Sequence, residues 1–236
     1  MQHNSNALIV VAKRPAPGKT KTRLSPPLTP ELASALYECF LLDTLSHMKQ
    51  VRHTRHVIAY LPHDEREYFY QFASDFELIS QEGDDLGERL DRALTSYLSR
   101  GYERVIIMDS DSPTLPPDYL SQAFDVLSEG ADVVLGPCDD GGYYLIGIKR
   151  PAPRLLREVH MSTPTVTAET IALAKEEGLK LISLPTWYDV DDAASLSRLR
   201  QEFETLHPSV AVHTRQFLQQ AAIQALLDVG VRKCQG

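Results

Sequence analysis

Short apolar runs alternate along this chain with longer helical stretches, and that alternation restricts the fold more than any other feature. Ala7–Ala12, His56–Leu61, Glu77–Ser80, Val105–Met108, Asp132–Leu135, Gly142–Lys149 and Leu181–Leu184 read as strands. Between them, Pro30 to about Lys49, a short helix capped by Asp64 and running toward Phe72, Leu86–Leu98, Pro117–Leu127 and Thr167–Glu177 read as helices. The first is amphipathic through Leu32, Ala35, Leu36, Cys39, Phe40 and Leu45. Pro117 opens one helix, and Gly101 and Gly178 close two others. Strands separated by helices of this length build βαβ units. The expected fold is a single α/β domain, with a mostly parallel mixed sheet flanked by helices. Asp192 to about Thr205 and Val210–Asp228 add C-terminal helices. The second carries Val212, Phe217, Leu218, Ala221, Ala222, Ala225 and Leu226, an apolar face for the sheet or for a homodimer.

The alternation also places charge. The first strand runs into Lys13-Arg14-Pro15-Ala16-Pro17-Gly18-Lys19-Thr20-Lys21-Thr22-Arg23, which holds five cations and no acid in a chain of net charge −8. A Gly- and Pro-containing loop after a first strand is where α/β proteins commonly hold phosphates. A nucleotide or similar polyphosphate is the expected ligand; a solvated basic loop is the plainer alternative. Gly18-Lys19-Thr20 matches the end of a Walker A motif, but the motif's first glycine falls on Lys13. Ser25-Pro26-Pro27 follows soon after, and two prolines would break a helix interior. The better helix start is Thr29-Pro30-Glu31, with Thr29 as cap and Pro30 at the first position. Side chains and loop amides, rather than a P-loop, would then grip the phosphates.

Two strands end in acid. Val105–Met108 leads into Asp109-Ser110-Asp111-Ser112-Pro113, and Leu181–Leu184 leads through Trp187-Tyr188 into Asp189-Val190-Asp191-Asp192. Ligands of open α/β sheets bind at the carboxyl ends of strands, and alternate residues of extended chain share a face. Carboxylates aimed into one cleft need a cation, since like charges raise each other's pKa. Mg²⁺ bridging to phosphate oxygens is the economical answer. A turn at Asp111-Ser112-Pro113 and a helix cap at Asp192 are the structural alternatives, and the second leaves Asp189 and Asp191 to explain. A third element, Asp139-Asp140-Gly141-Gly142-Tyr143-Tyr144, reads as a tight hairpin turn whose backbone approaches a ligand, with Asp140 holding an acceptor. A fourth, Gly83-Asp84-Asp85-Leu86-Gly87, opens a helix whose amides suit an anion or a base edge, or is simply an acidic helix start. Of the histidines, only His160 lies in a loop with reach toward such a cleft, and it reads first as structural or exposed.

Composition excludes other classes. The acidic balance argues against nucleic-acid binding. Cys39, Cys138 and Cys234 lack metal-ligand spacing and read as reduced thiols. No apolar stretch approaches a membrane span, and Met1 to Asn6 is polar and short for a signal peptide. A cytoplasmic location is the expectation.

The basic loop from Lys13 to Leu24, Asp111-Ser112-Pro113 with Leu115, Gly136-Pro137 through Asp140-Gly141-Gly142-Tyr143-Tyr144-Leu145-Ile146-Gly147, and Asp189-Val190-Asp191 resemble the bacterial glycosyltransferase-like, selenodomain-associated transferases. These belong to the nucleotide-diphospho-sugar transferase superfamily, of GT-A fold, and are similar more distantly to the phospholactate and molybdenum-cofactor guanylyltransferases. The resemblance covers roughly residues 7 to 200. It implies that Lys19, Lys21 and Arg23 bind nucleotide phosphates, with Lys13, Gly18, Gly83, Leu86 and Gly87 completing the nucleotide site. It implies that Asp111 and Asp191, with Asp109 and Asp189 as further candidates, hold Mg²⁺ or Mn²⁺. Asp140, Gly141, Gly142 and Tyr143 would face a small-molecule acceptor. Asp109 stands where such proteins more often have glycine, and Met161 where tryptophan is frequent. The expected activity is nucleotidyl transfer from a nucleoside triphosphate, with Lys19, Lys21, Arg23 and Asp140 at the reaction. Glycosyl transfer from a nucleotide sugar is the rival, since Asp109-Ser110-Asp111 is an Asp-x-Asp motif; a non-catalytic nucleotide-binding protein is the third reading.

Overall fold

Seven strands form one sheet in the computed structural model, which describes residues 5–220, 222–224 and 226–227. They are β1 (Asn6–Lys13), β2 (Thr54–Leu61), β3 (Glu77–Ser80), β4 (Arg104–Met108), β5 (Val133–Pro137), β6 (Tyr143–Ile148) and β7 (Leu181–Ser183), in the spatial order β3-β2-β1-β4-β6-β5-β7. All neighbouring pairs are parallel except those made by β6, which runs antiparallel to β4 and β5. The reversal follows from the short link between β5 and β6, because a parallel return needs a crossover of a dozen residues or so. The helices are α1 (Pro30–Met48), α2 (Arg66–Tyr70), α3 (Leu86–Ser99), α4 (Pro117–Ser128), α5 (Arg154–Arg157), α6 (Val166–Glu176), α7 (Ala193–Glu202) and α8 (Val212–Leu218), with a 3₁₀ turn at Thr22–Leu24.

The chain divides into two compact units. The first holds residues 1–14, 47–109 and 115–188, and with them the whole sheet. One face of that sheet presents alternate residues: Ala7 and Ile9, Val57 and Ala59, Val105 and Ile107, Val133 and Leu135, Ile146 and Ile148. These pack with Leu90, Leu94 and Tyr97 of α3, Leu155 and Leu156 of α5 and Ala174 of α6. The period of two along each strand is what sends these side chains to one side. On the other face, a Cβ at Gly147 would crowd Ile106, Val134 and Leu127, so α4 lies close over the middle strands.

The second unit holds residues 15–46, 110–114 and 189–236. Asp192 caps α7, accepting the Ser195 amide at 2.9 Å, while the Ser195 hydroxyl accepts the Asp192 amide at 3.0 Å. Buried Asp43 of α1 accepts the His213 and Thr214 amides at 3.0 and 2.9 Å and so satisfies the start of α8. No helix of the described residues is long and apolar enough to cross a membrane.

Several local expectations change. The short second helix starts after Glu65 rather than at a cap on Asp64. The buried apolar residues of α1 are Ala33, Leu36, Tyr37, Phe40, Leu41, Leu45 and Met48, so Leu36, Phe40 and Leu45 are buried as expected, while Leu32, Ala35 and Cys39 are only partly buried. The residues after Pro151-Ala152-Pro153 form the single turn α5, for which the sequence offers no periodicity. The long C-terminal helix expected from Val210 is broken at Gln219–Gln220, with helix again at 222–224 and 226–227. Ala221, Ala225 and Asp228 lie outside the described residues.

Candidate functional site

In the first unit the carboxyl ends of the parallel strands coincide. Lys13 pairs with Leu61, and Val10 with Met108. The start of β6 lies at the same edge, since Met108 pairs with Leu145. This edge therefore gathers Lys13, Asp109 and the turn between β5 and β6. The Asp109 amide continues the ladder by donating to Tyr144 O at 3.0 Å. Its carboxylate lies within 4.8 Å of the Cys138 thiol. Burial, with Tyr119, Cys138 and Asp109 nearby, pushes the Tyr144 hydroxyl well above its ordinary pKa, so it stays a donor, to Pro185 O at 3.0 Å.

The Asp-Gly-Gly turn is the predicted hairpin, closed by the Cys138 amide on Gly142 O at 2.8 Å. Asp140 is exposed, and its Oδ1 accepts the Gly142 amide at 2.8 Å. Gly141 was expected to leave room for a ligand. Its φ is +89°, and a Cβ there would fall 1.9 Å from Pro164 O, so the glycine is required by the chain itself. Thr167 seals that contact, its amide donating to Gly141 O at 3.1 Å and its hydroxyl to Gly142 O at 2.5 Å. Tyr143 points its hydroxyl at Met161 Sδ, 3.5 Å away, and burial holds it protonated. The Gly83–Gly87 segment does open α3, but Asp85 already accepts the Glu88 amide and Glu88 accepts the Asp84 amide, each at 2.8 Å. Gly87 is explained by packing: a Cβ would meet Leu156 O at 2.1 Å, where α5 crosses α3. Leu86 packs against the core. His160 is exposed and hydrogen-bonded to Glu169 at 3.0 Å.

In the second unit the basic loop is a folded turn. The Lys19 and Thr20 amides donate to Ala16 O at 3.0 and 3.1 Å, and the buried Thr20 hydroxyl closes the same turn. Gly18 and Lys19 are exposed. The 3₁₀ turn at Thr22–Leu24, rather than a helix, follows, and α1 begins at Pro30 with the Thr29 hydroxyl accepting the Leu32 amide at 3.3 Å. The departure from a P-loop is therefore real.

Lys21 sits differently from its loop neighbours. Its side chain is 5% exposed, and its ammonium meets Asp111 Oδ1 at 2.9 Å and Asp191 Oδ1 at 2.6 Å. Burial alone would lower the Lys21 pKa, but the charges and hydrogen bonds of Asp111 and Asp191 outweigh it and hold the group above its ordinary value. The residue read as a phosphate cation and the two read as metal ligands thus form one cluster. The backbone supports it: the Val190 amide donates to Asp111 O at 2.9 Å, which sets the two acidic segments side by side. Asp189 is turned elsewhere and accepts the Ser112 hydroxyl at 2.8 Å. Arg23 is 70% exposed and reaches Asp192 at 3.4 Å.

Two carboxylates that converge within 3 Å of one ammonium are spaced for a single shared cation, and at 34% and 39% exposure both are open to solvent. Hard oxygen donors of this kind fit Mg²⁺ or Mn²⁺. Sequence reasoning missed the residues that brace the cluster. Buried Ser110 is held by the Tyr37 hydroxyl at 2.9 Å, and Phe40 lies under Lys21, with the ring centroid 5.8 Å from Nζ. Neither tyrosine nor phenylalanine carried any signal beyond helical spacing.

Comparison with known proteins places the chain in a family and a fold. Residues 44–163 match the family described as uncharacterized protein conserved in bacteria, DUF2064. The chain is 31% identical over 191 residues to 2-phospho-L-lactate guanylyltransferase of Methanothermobacter thermautotrophicus, covering 79% of this chain and 81% of that one. It superposes with a TM-score of 0.87 on a crystal structure from Desulfovibrio desulfuricans G20 provisionally named a nucleotide-diphospho-sugar transferase, at 30% identity, covering 95% of this chain and 97% of that one. The fold alone is shared with a CMP:2-keto-3-deoxy-manno-octonic acid synthetase complexed with CTP, with a TM-score of 0.56 and 12% identity over 84% of this chain and 98% of that one.

Proposed function

The chain belongs to the DUF2064 family of bacterial proteins, and we propose that it is a metal-dependent nucleotidyltransferase that moves a nucleotidyl group from a nucleoside triphosphate to a small phosphorylated acceptor. The observation that carries the reading is the Lys21 cluster: two carboxylates that converge on one lysine of the basic loop. The guanylyltransferase relative supports it, since its name joins a guanylyl group to a small phosphorylated acid.

Asp111 and Asp191 would hold Mg²⁺ or Mn²⁺, with Asp109 and Asp189 as further candidates. A cation held there supplies charge neutralisation at the phosphates. Lys19, Lys21 and Arg23 bind and neutralise the triphosphate, and Lys13 and Gly18 are further candidates for contact with the nucleotide. Gly83, Leu86 and Gly87 are assigned to the nucleotide, and Asp140, Gly141, Gly142 and Tyr143 to the acceptor. An acceptor phosphate oxygen attacks the α-phosphorus, the bond from that phosphorus to the β-phosphate bridging oxygen breaks, and pyrophosphate leaves. The acceptor is already an anion, so the step needs no strong general base, which suits a site whose side chains are mainly cations and paired carboxylates. The protein would act in the cytoplasm, and a homodimer through the C-terminal helices is part of the same reading, checked by light scattering.

The experiment is a pyrophosphate assay with each nucleoside triphosphate, Mg²⁺ and a panel of small phosphate esters. Acceptor-dependent pyrophosphate release, lost in Asp111→Ala, is the expected result. Consumption of nucleotide sugars with every triphosphate left intact would overturn it and favour the glycosyl transfer that the name of the Desulfovibrio relative suggests.

A further inference from the structure

Lys21 is held in place more firmly than a phosphate-gripping loop lysine needs to be. Its backbone lies in the left-handed region, with φ 49° and ψ 42°. A side-chain-bearing residue adopts that conformation at a free-energy cost, and it persists only where the surroundings impose it. Its stem is buried, and Phe40 lies under its ammonium. Its Nζ engages one oxygen of each carboxylate, Oδ1 of Asp111 and Oδ1 of Asp191. The fold thus spends backbone strain to place a fixed positive charge between the two groups assigned to the metal.

That placement sets the charge a metal ion meets. Asp111, Asp191 and Lys21 sum to −1, whereas the carboxylates alone would sum to −2. A free divalent ion approaching them meets a fixed cation of like sign only 2.6–2.9 Å from the oxygens it needs. A metal ion arriving on a polyphosphate brings its own anionic oxygens, and these give the ammonium an alternative partner. We propose that Lys21 is a resident counter-ion of Asp111 and Asp191, a positioning residue that makes the site take up a divalent metal–polyphosphate complex in preference to the free ion. The proposal rests on the assignment of those aspartates to the metal.

The test is binding, read without turnover. Mn²⁺ is titrated into the nucleotide-free protein and into Lys21→Met by calorimetry and by paramagnetic detection of unbound Mn²⁺. Lys21→Met is expected to bind Mn²⁺ at least tenfold more tightly than wild type. A variant that folds only when Mn²⁺ is present supports the same conclusion, since the metal then replaces the ammonium. Equal or weaker Mn²⁺ binding by the variant would overturn it. Wild-type crystals soaked in Mn²⁺, with and without inorganic tripolyphosphate, provide an arm that does not depend on the variant's folding. A manganese anomalous peak at Asp111 and Asp191 is expected only with tripolyphosphate, with Lys21 Nζ moved off the carboxylates. A peak with Mn²⁺ alone and Lys21 still in place would overturn the role of Lys21 and leave the metal assignment standing. No peak at these aspartates in either soak would instead overturn the metal assignment itself.

Discussion

Lys21, Asp111 and Asp191 come from three separate stretches of sequence, and only folding shows that they meet. The basic loop and both acidic strand ends were each legible, because charge that departs from an apolar run needs a reason. What the sequence could not convey was that one of the loop cations belongs to the aspartates, since a partner 90 or 170 residues away leaves no local spacing to read. If the cluster works as argued, Asp191→Asn should lower turnover by about 10²-fold or more, the scale typical of removing one electrostatic stabiliser, while circular dichroism stays unchanged. Steady-state kinetics with saturating Mg²⁺ checks this, and wild-type turnover would remove Asp191 from the reaction. Cys39 gives an independent residue-scale test. Burial first, then the nearby acids Asp43 and Glu38, push its thiol up to about 12. At pH 8 almost none of it is thiolate, so alkylation should be much slower than for a free thiol and should accelerate as the pH is raised. Peptide mapping after timed iodoacetamide treatment measures this.

At the scale of elements, the strands were the most readable part, because the buried central runs are continuous and bounded by turns. The turn α5 was missed because four residues carry no periodicity, and the proline pair before it reads equally well as loop. The glycines of the Gly83–Gly87 and Asp-Gly-Gly segments were the least readable, since tight packing and ligand approach demand the same residue. Gly87→Ala tests the packing explanation. With Leu156 O only 2.1 Å from the new methyl, the substitution should destabilise the fold by about 1–3 kcal/mol, measured by urea unfolding. A neutral effect would mean α3 and α5 part freely. The Asp192 cap of α7 adds a pH test. The Ser195 amide holds the Asp192 carboxyl below its ordinary range. The cap therefore stabilises the folded state above the unfolded pKa of about 3.9, and that contribution is lost as pH falls through the lower folded value. Asp192→Ala should cost about 1 kcal/mol at pH 7, and the gap to wild type should close toward pH 3 in paired denaturation curves.

For the whole molecule, the alternation of strands and helices fixed the α/β class, while the strand order and the reversed β6 depended on tertiary pairing that no single segment encodes. The uneven distribution of charge is a whole-chain property with its own consequence. Five cations sit in one short segment of a protein of net charge −8. Binding of a triphosphate there should weaken several-fold between about 50 and 300 mM KCl, because exposed charges are screened over roughly a Debye length; equilibrium dialysis at the two salts measures it. The central claim is that the nucleotidyl group itself is transferred. Its most direct test is label transfer, with one nucleoside triphosphate carrying ³²P at the α-position and a parallel sample carrying it at the γ-position, each incubated with Mg²⁺ and the phosphorylated acceptor that releases pyrophosphate. The account predicts that α-label enters the acceptor product and γ-label leaves as pyrophosphate. Product free of α-label, or label appearing only as hydrolysed nucleotide, would contradict it.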